Sequence, residues 1–219
     1  MDKLYKYIVD HSVPESEDLL WIRRQTNLRT NHARMLSGEV QGALLTMLVS
    51  SLGVRHALEI GTFTGYASVC LAKGLPEDGH LDTLEINDEL TDLIREGWRR
   101  AGVDHLISLH TADALETLSV LSQRLTAGEI PPYDLVYIDA NKRQYRSYYE
   151  AVLPLVRDGG IILADNTLWD GKVVEDPLPQ DAQTQEILHF NDEVAVDPRV
   201  SCVIIPLRDG LTMIRKKSL

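Results

Sequence analysis

The sequence predicts an α/β fold: a doubly wound, mostly parallel seven-stranded sheet with a C-terminal antiparallel hairpin and an N-terminal helical lead-in. Three observations carry this. Five short apolar runs alternate with helix-period segments from His56 onward, which is the pattern of βαβ units and a parallel sheet. Two more apolar runs flank the turn Arg208-Asp209-Gly210, as in a β-hairpin, so the last strand should run antiparallel. Residues 1–52 hold helical patterns and no strand.

Taken in order, Ser12 and Glu15 are spaced as a capping box with Pro14 in the first turn, predicting a helix of roughly twenty residues. Glu39–Ser51 reads as a second helix with Val40, Leu44, Met47 and Leu48 on its apolar face. His56–Ile60 is the first strand, followed by a Gly-rich turn and a helix over Tyr66–Lys73 closed by Gly74. Strand Leu81–Ile86 precedes helix Asp88–Ala101, closed by Gly102. Strand Leu106–His110 precedes helix Ala114–Leu125, and strand Tyr133–Asp139 precedes helix Gln144–Val156. Gly160–Asp165 is the fifth strand. A long loop leads to helix Gln183–Ala195 and to the hairpin strands Val200–Pro206 and Leu211–Lys216. The order is Rossmann-like.

Length and composition bound the possibilities. A chain of 219 residues suffices for one well-buried α/β domain. No repeat, low-complexity tract or Pro/Gly-rich linker interrupts it. A single domain over 1–219 is therefore expected, with the lead-in at 1–52 and the α/β core at 53–219. Hydrophobic residues make up 44% and charged residues 25%, an ordinary globular balance. The formal net charge of −11 disfavours nucleic acid and anionic membranes as partners. Cys70 and Cys202 are too few for a disulfide framework; both lie in apolar runs and are expected in the core. No apolar signal core or membrane-length run is present, so the cytoplasm is the expected compartment.

The first strand runs into Glu59-Ile60-Gly61-Thr62-Phe63-Thr64-Gly65-Tyr66. Glycines in such a turn let backbone N–H groups approach a ligand at a helix N-terminus. The spacing differs from the G-x-G-x-x-G of dinucleotide binders, and the absence of G-K-[S/T] excludes a P-loop. Glu85 ends the second strand, where an acid can accept hydrogen bonds from both hydroxyls of a ribose. The competing reading is a solvated strand end, and the glycine turn one unit earlier favours the nucleoside. Asp113 follows the third strand with Glu116 three residues on, the spacing of a helix cap.

Asp139 and Asp165-Asn166 end the fourth and fifth strands, on the sheet edge where open α/β folds bind ligands. Neighbouring strands lie about 4.8 Å apart, so two such carboxylates can share one cation. Without it they would repel, and one would be pushed towards protonation. With the Asn166 amide oxygen the donors are all oxygen, which suits a hard ion such as Mg²⁺, with Mn²⁺ or Ca²⁺ as alternatives. Two independent strand-end caps are the rival explanation.

With these motifs in place the sequence resembles the caffeoyl-CoA and catechol O-methyltransferases, a class I, metal-dependent group, over roughly residues 30–217. The resemblance rests on Met35 and Glu39-Val40-Gln41-Gly42, Glu59 to Ser68, Leu75-Pro76-Glu77-Asp78-Gly79, Ala101-Gly102-Val103-Asp104-His105 and Asp139-Ala140-Asn141-Lys142. It continues through Asp165-Asn166-Thr167-Leu168-Trp169-Asp170-Gly171-Lys172-Val173-Val174, Asp197-Pro198-Arg199 and Asp209-Gly210-Leu211-Thr212. It implies S-adenosylmethionine and a divalent metal as cofactors. Asp139, Asp165 and Asn166 match the metal ligands, and Lys142 matches the catalytic lysine beside the reacting hydroxyl. Glu85 matches the ribose-binding acid. Glu59, Gly61 and Ser68 match positions around the methionine part, Asp113 and Ala114 the segment against the adenine, and Gly65 and Asp139 are further cofactor-binding positions. Met35, Asn141 and Trp169 match acceptor-binding positions. The plant caffeoyl-CoA enzymes usually carry Asp at the position of Asn141 and Asn at that of Asp170, and this chain lacks part of their insertion after Val174. Those departures bear on thioester recognition, not on methyl transfer. The resemblance also implies a homodimer with residues 1–36 and the C-terminal hairpin near the interface.

The implied chemistry is methyl transfer to a hydroxyl of a catechol-like phenolic small molecule. A phenol with a pKa near 10 is barely nucleophilic at neutral pH; chelation of both vicinal oxygens would favour the phenolate. Lys142 would take the proton or stabilise the phenolate as a cation. An NAD-dependent oxidoreductase would share the glycine turn and Glu85 but leaves Asp139, Asp165 and Asn166 unexplained. A cofactor-binding protein without catalysis leaves Lys142 unexplained as well.

Overall fold

In a computed structural model, residues 3–218 are described; Met1, Asp2 and Leu219, the ends of the expected lead-in and core, lie outside them. In chain order the elements are α1 (Lys3–Asp10), α2 (Glu17–Arg29), α3 (Glu39–Ser51), β1 (His56–Ile60), α4 (Tyr66–Gly74), β2 (His80–Glu85), α5 (Thr91–Ala101) and β3 (Ile107–Thr111). They continue with α6 (Ala114–Thr126), β4 (Tyr133–Ile138), α7 (Tyr145–Val152), β5 (Val156–Asp165), α8 (Ala182–Val196), β6 (Val200–Ile205) and β7 (Leu211–Lys216). Short 3₁₀ turns lie at Ala33–Met35, Asp104–Leu106, Lys142–Gln144 and Trp169–Val174. The strands form a seven-stranded mixed sheet in the order β3-β2-β1-β4-β5-β7-β6, the expected fold class with its antiparallel hairpin. No described helix is long and apolar enough to cross a membrane.

The chain divides into two compact units: the N-terminal residues through Arg55 with Thr62–Thr111, and His56–Gly61 with the chain from Ala112 on. In the first unit, β2 and β3 pair in parallel from Leu81↔Ile107 to Glu85↔Thr111. Gly42 of α3 lies so close to α4 that an added Cβ would stand 2.8 Å from Cys70 Sγ. That approach selects the face α3 buries. Gln41, Gly42, Leu45 and Val49 are buried, whereas Met47 is exposed and Val40, Leu44 and Leu48 are only partly covered. The expected Val40/Leu44/Met47/Leu48 face is therefore corrected by about a quarter turn, because α3 is apolar on two sides and the small residue decides.

The lead-in also differs from expectation. Ser12 does not cap the next helix; its hydroxyl donates back to Ile8 O. Glu15 is taken by Arg23 at 2.8 Å and by the Tyr66 hydroxyl at 2.5 Å. The helix starts only after Ser16 and is 13 residues long, with a separate α1 before it.

In the second unit, β1 pairs with β4, and β4 with β5, all in parallel, and β7 joins β5 to β6 in antiparallel register. Leu58, Ile60, Val136, Ile138, Ile162 and Ala164 are completely buried. Covering both faces of adjacent parallel strands is why these segments read as continuous apolar runs. Each large aliphatic side chain so buried contributes about 1.5–3 kcal/mol. Helix α7 ends at Val152 and β5 begins at Val156, where one helix through Val156 was expected. Pro154 lies between them and cannot supply the N–H a continuing helix needs. Cys70 is buried as expected, but Cys202 is exposed. It lies on β6, at the end of the strand order, where Ser201–Ile204 are all exposed.

Two tight points in this unit bear on function. Gly61 has φ of 102°, and a Cβ there would stand 2.1 Å from Asp139 O. Helix α7 is tied to the start of β6 through Asp197, which accepts hydrogen bonds from the Tyr149 hydroxyl at 2.8 Å and from Arg199 Nε at 3.0 Å. The Arg199 guanidinium holds the Asp197 carboxyl down at about 2.

Gly61→Ala should destabilise the fold by at least about 1–3 kcal/mol from backbone strain alone, read as a lower urea midpoint; an unchanged midpoint would contradict the geometry. Asp197 has a folded pKa below the ordinary carboxylate value of about 3.9, so its stabilisation is present above that value and is lost as pH falls towards about 2. Asp197→Asn should therefore unfold at lower urea than wild type at pH 7, and the two midpoints should converge between about pH 4 and pH 2. A gap that stays constant across that range would contradict the assignment.

Candidate active site

The carboxyl ends of β4 and β5 gather the charged residues. Ile138 pairs with Ala164, and Asp139 and Asp165 directly follow them. Asp165 is buried; its carboxylate accepts from the Tyr137 hydroxyl at 2.8 Å and from the N–H of Asn166 at 2.8 Å. Asn166 has φ of 59°, a left-handed conformation that Asn tolerates better than most residues.

Lys142 sits on the short turn after β4, with only 8% of its surface exposed. Its ammonium donates to Asp139 Oδ1 at 2.8 Å and to the Tyr145 hydroxyl at 2.6 Å. That hydroxyl in turn donates to Asp165 O at 2.8 Å. Burial, with Asp139, Asp165 and Asp209 nearby, raises the Tyr145 phenol well above its ordinary value, so it remains protonated. Asn141 caps the turn: its Oδ1 accepts from the N–H of Arg143 at 3.2 Å, which orients Lys142.

The loop after β5 completes this region. Trp169 and Asp170 both have positive φ, 49° and 52°. The Trp169 indole nitrogen is buried without a partner among the described residues. A cavity of about 560 Å³ is lined by Leu168, Asp170, Gly171, Val173, Val174, Arg208 and Asp209. Burial and the Asp170 carboxylate raise Asp209, while hydrogen bonds from Asp170 N–H and Asn166 and the charge of Lys142 oppose the rise. Glu59 is fully buried within β1. Asp113 caps α6, accepting from the N–H groups of Leu115 and Glu116, as its spacing predicts; Ala114 is the first residue of that helix. Among the described residues no group of three or more His, Cys, Asp or Glu side chains is disposed to hold a metal; the donor set expected here has two carboxylates and an amide.

In the first unit, Glu85 ends β2 and accepts from the N–H of Phe63 at 2.7 Å and of Asn87 at 3.0 Å. The acid is thus held against the glycine turn, in which Gly65 has φ of 80° and precedes α4. Ser68 is buried in the first turn of α4, and Met35 is exposed on the turn Ala33–Met35.

Sequence reasoning singled out Asp139, Lys142, Asp165 and Asn166, and the fold brings them to adjoining strand ends. It missed Tyr137 and Tyr145, which hold the ring of polar groups together. The spacing of Tyr145, three residues after Lys142 on a helical turn, was the available signal.

Residues 9–217 match the family model described as O-methyltransferase. A caffeoyl-CoA O-methyltransferase of Medicago sativa is 33% identical, covering 98% of this chain and 89% of that protein. A catechol O-methyltransferase domain-containing protein of Mus musculus is 35% identical, covering 96% of this chain and 78% of that one. The crystal structure of the O-methyltransferase TomG from Streptomyces achromogenes, involved in tomaymycin synthesis and solved in complex with S-adenosylmethionine, superposes with a TM-score of 0.90 at 30% identity, covering all of both chains. None of these favours the oxidoreductase reading. The chain belongs to the O-methyltransferase family, among the S-adenosylmethionine-dependent enzymes of the caffeoyl-CoA and catechol type.

Proposed function

We propose that the chain methylates one hydroxyl of a vicinal dihydroxyphenyl small molecule, in a reaction that requires a divalent cation held by Asp139, Asp165 and Asn166. The observation that carries this reading is the buried Lys142 ammonium, fixed between Asp139 and Tyr145 beside Asp165. An ammonium has three N–H donors. Two are engaged, which leaves the third for an acceptor oxygen.

The donors fit a hard cation. They are two carboxylates at adjoining strand ends and one amide oxygen, the oxygen-only chemistry that Mg²⁺ or Mn²⁺ takes. When bound, such an ion would lower the pKa of a chelated phenol and give its two oxygens a common anchor. Lys142 then holds the reacting oxygen in place, and its positive charge favours the phenolate. Tyr145, kept protonated by burial, keeps the ammonium from swinging away. The phenolic proton is released to solvent as the phenolate forms, Lys142 staying an ammonium that donates to it, and the phenolate oxygen then bonds to the methyl carbon as the carbon–sulfur bond breaks. Orientation of the two reactants supplies most of the acceleration.

On the cofactor side, Glu85 is proposed to accept from the ribose hydroxyls, and Asp113 and Ala114 to flank the adenine. Glu59, Gly61 and Ser68 are proposed to surround the methionine portion, with Gly65 and Asp139 as further cofactor-binding positions. The buried, unpartnered indole N–H of Trp169 suits an acceptor wall, with Met35 and Asn141 as further acceptor-side residues. The cavity beside Asp209 offers room for a phenolic ring. A homodimer is proposed with this reading.

The test is a panel of dihydroxyphenyl, monohydroxyphenyl and thioester-linked acceptors, assayed with and without EDTA. Methylation of vicinal diols should vanish in EDTA and return with Mg²⁺ or Mn²⁺, and monohydroxyl analogues should be poor acceptors. Full activity in EDTA, or equal turnover of monohydroxyl acceptors, would overturn the proposal.

A further inference from the structure

We propose that Thr26 of α2 is a positioning residue for the cofactor: through the Thr64 hydroxyl it holds the turn 62–66 in the shape that receives S-adenosylmethionine. This rests on the cofactor-side reading above. The turn needs holding. Phe63, which is not a glycine, has φ of 51°, and such left-handed strain persists only where the surroundings over-determine it. Two ties come from β2. The Thr62 hydroxyl bonds to that of Thr83 at 2.6 Å, and the N–H of Phe63 donates to Glu85 at 2.7 Å. A third comes from the lead-in: the hydroxyls of Thr26 and Thr64 hydrogen-bond at 2.9 Å.

Thr26 and Thr64 are both completely buried. Neither side chain has surface to offer a ligand, and water has no access to replace their bond. Any effect of Thr26 on the cofactor therefore passes through the turn. Helix α2 can act as the support because it is itself fixed. The Thr26 hydroxyl also bonds to Ile22 O at 2.8 Å, one helical turn earlier, which sets its direction. Arg23 pairs with Glu15 at 2.8 Å, and Glu15 accepts from the hydroxyl of Tyr66, the first residue of α4, at 2.5 Å. Gly97 lets α5 close on α2: a Cβ there would stand 3.0 Å from Ile22 Cδ1. A helix that carries no cofactor-binding motif thus sets the conformation of the turn that does.

Calorimetric titration of S-adenosylmethionine into the purified protein reads this without an acceptor or a metal. Thr26→Val keeps the shape and removes the hydroxyl. Thr64 then loses its buried partner, the turn relaxes, and the cofactor must restore it on binding. Affinity should fall about 5- to 10-fold, the weight of one buried hydrogen bond. Thr26→Ser, which keeps the hydroxyl, should stay within about twofold of wild type on the same scale. Thr64→Val should show the loss of Thr26→Val. Adding Thr26→Val to it should weaken binding by no more than about twofold further, because two residues acting through one bond are not additive. A structural role alone would lower the urea midpoint and leave the affinity unchanged. Should Thr26→Val fail to fold, Thr64→Val removes the same bond from the other side and is read in its place. Wild-type affinity in the hydroxyl-free variants, an equal loss in Thr26→Ser, or a double variant whose losses multiply overturns the inference. Glu85→Ala separates it from the reading beneath. Wild-type affinity in that variant overturns the cofactor-side reading, and a loss there with none in Thr26→Val overturns this inference alone.

Discussion

The ammonium of Lys142 is the constraint around which the second unit is arranged. A charge with 8% of its residue surface exposed must be paired and hydrogen-bonded, because desolvation otherwise disfavours the charged form. Asp139 and Tyr145 supply the partners, and Tyr145 passes the constraint on by donating to the backbone of Asp165. One hydrogen-bonded chain therefore links the turn after β4, the start of α7 and the end of β5. Its members come from three elements, so its geometry depends on the parallel register of β4 against β5.

That register is set by apolar packing remote from the chemistry. Val136 and Ile138 are matched with Ile162 and Ala164, and all four are fully buried. Slipping the pairing by one residue would turn every side chain to the opposite face and part Asp139 from Asp165. On the far side of β5, β7 places the turn at Asp209 and Gly210 beside Asn166. The antiparallel hairpin is thus bonded to the segment that directly follows Asp165 and Asn166. A family resemblance alone does not say why the hairpin should matter; the hydrogen bonds between Thr167, Leu168 and the 209–210 turn do.

The parts legible in the sequence were those written in local chemistry. The alternation of apolar strands and helices, the Asp113 cap, the αL Gly102 closing α5 and the acids at strand ends are each encoded within a few residues. Long-range competition was not legible. Glu15 reads as a capping-box residue until Arg23 and Tyr66 claim its carboxylate. The buried face of α3 depends on the close approach of Gly42 to Cys70, which its own periodicity cannot reveal. Cys202 reads as core because β6 is apolar, yet the strand lies at the end of the sheet. At the site, the charged residues were visible as motifs. The two tyrosines that organise them were not, since a buried Tyr in an apolar run looks like packing until its hydroxyl finds a partner.

The proposal turns on the Lys142 ammonium serving the methyl acceptor and not the cofactor. Steady-state kinetics of Lys142→Met with a vicinal diol, alongside calorimetric titration of S-adenosylmethionine into the same variant, test it most directly. The account predicts a fall in kcat of about 10²–10⁴-fold with cofactor affinity within a few-fold of wild type. Wild-type kcat in that variant, or a cofactor affinity that collapses in step with turnover, would contradict it.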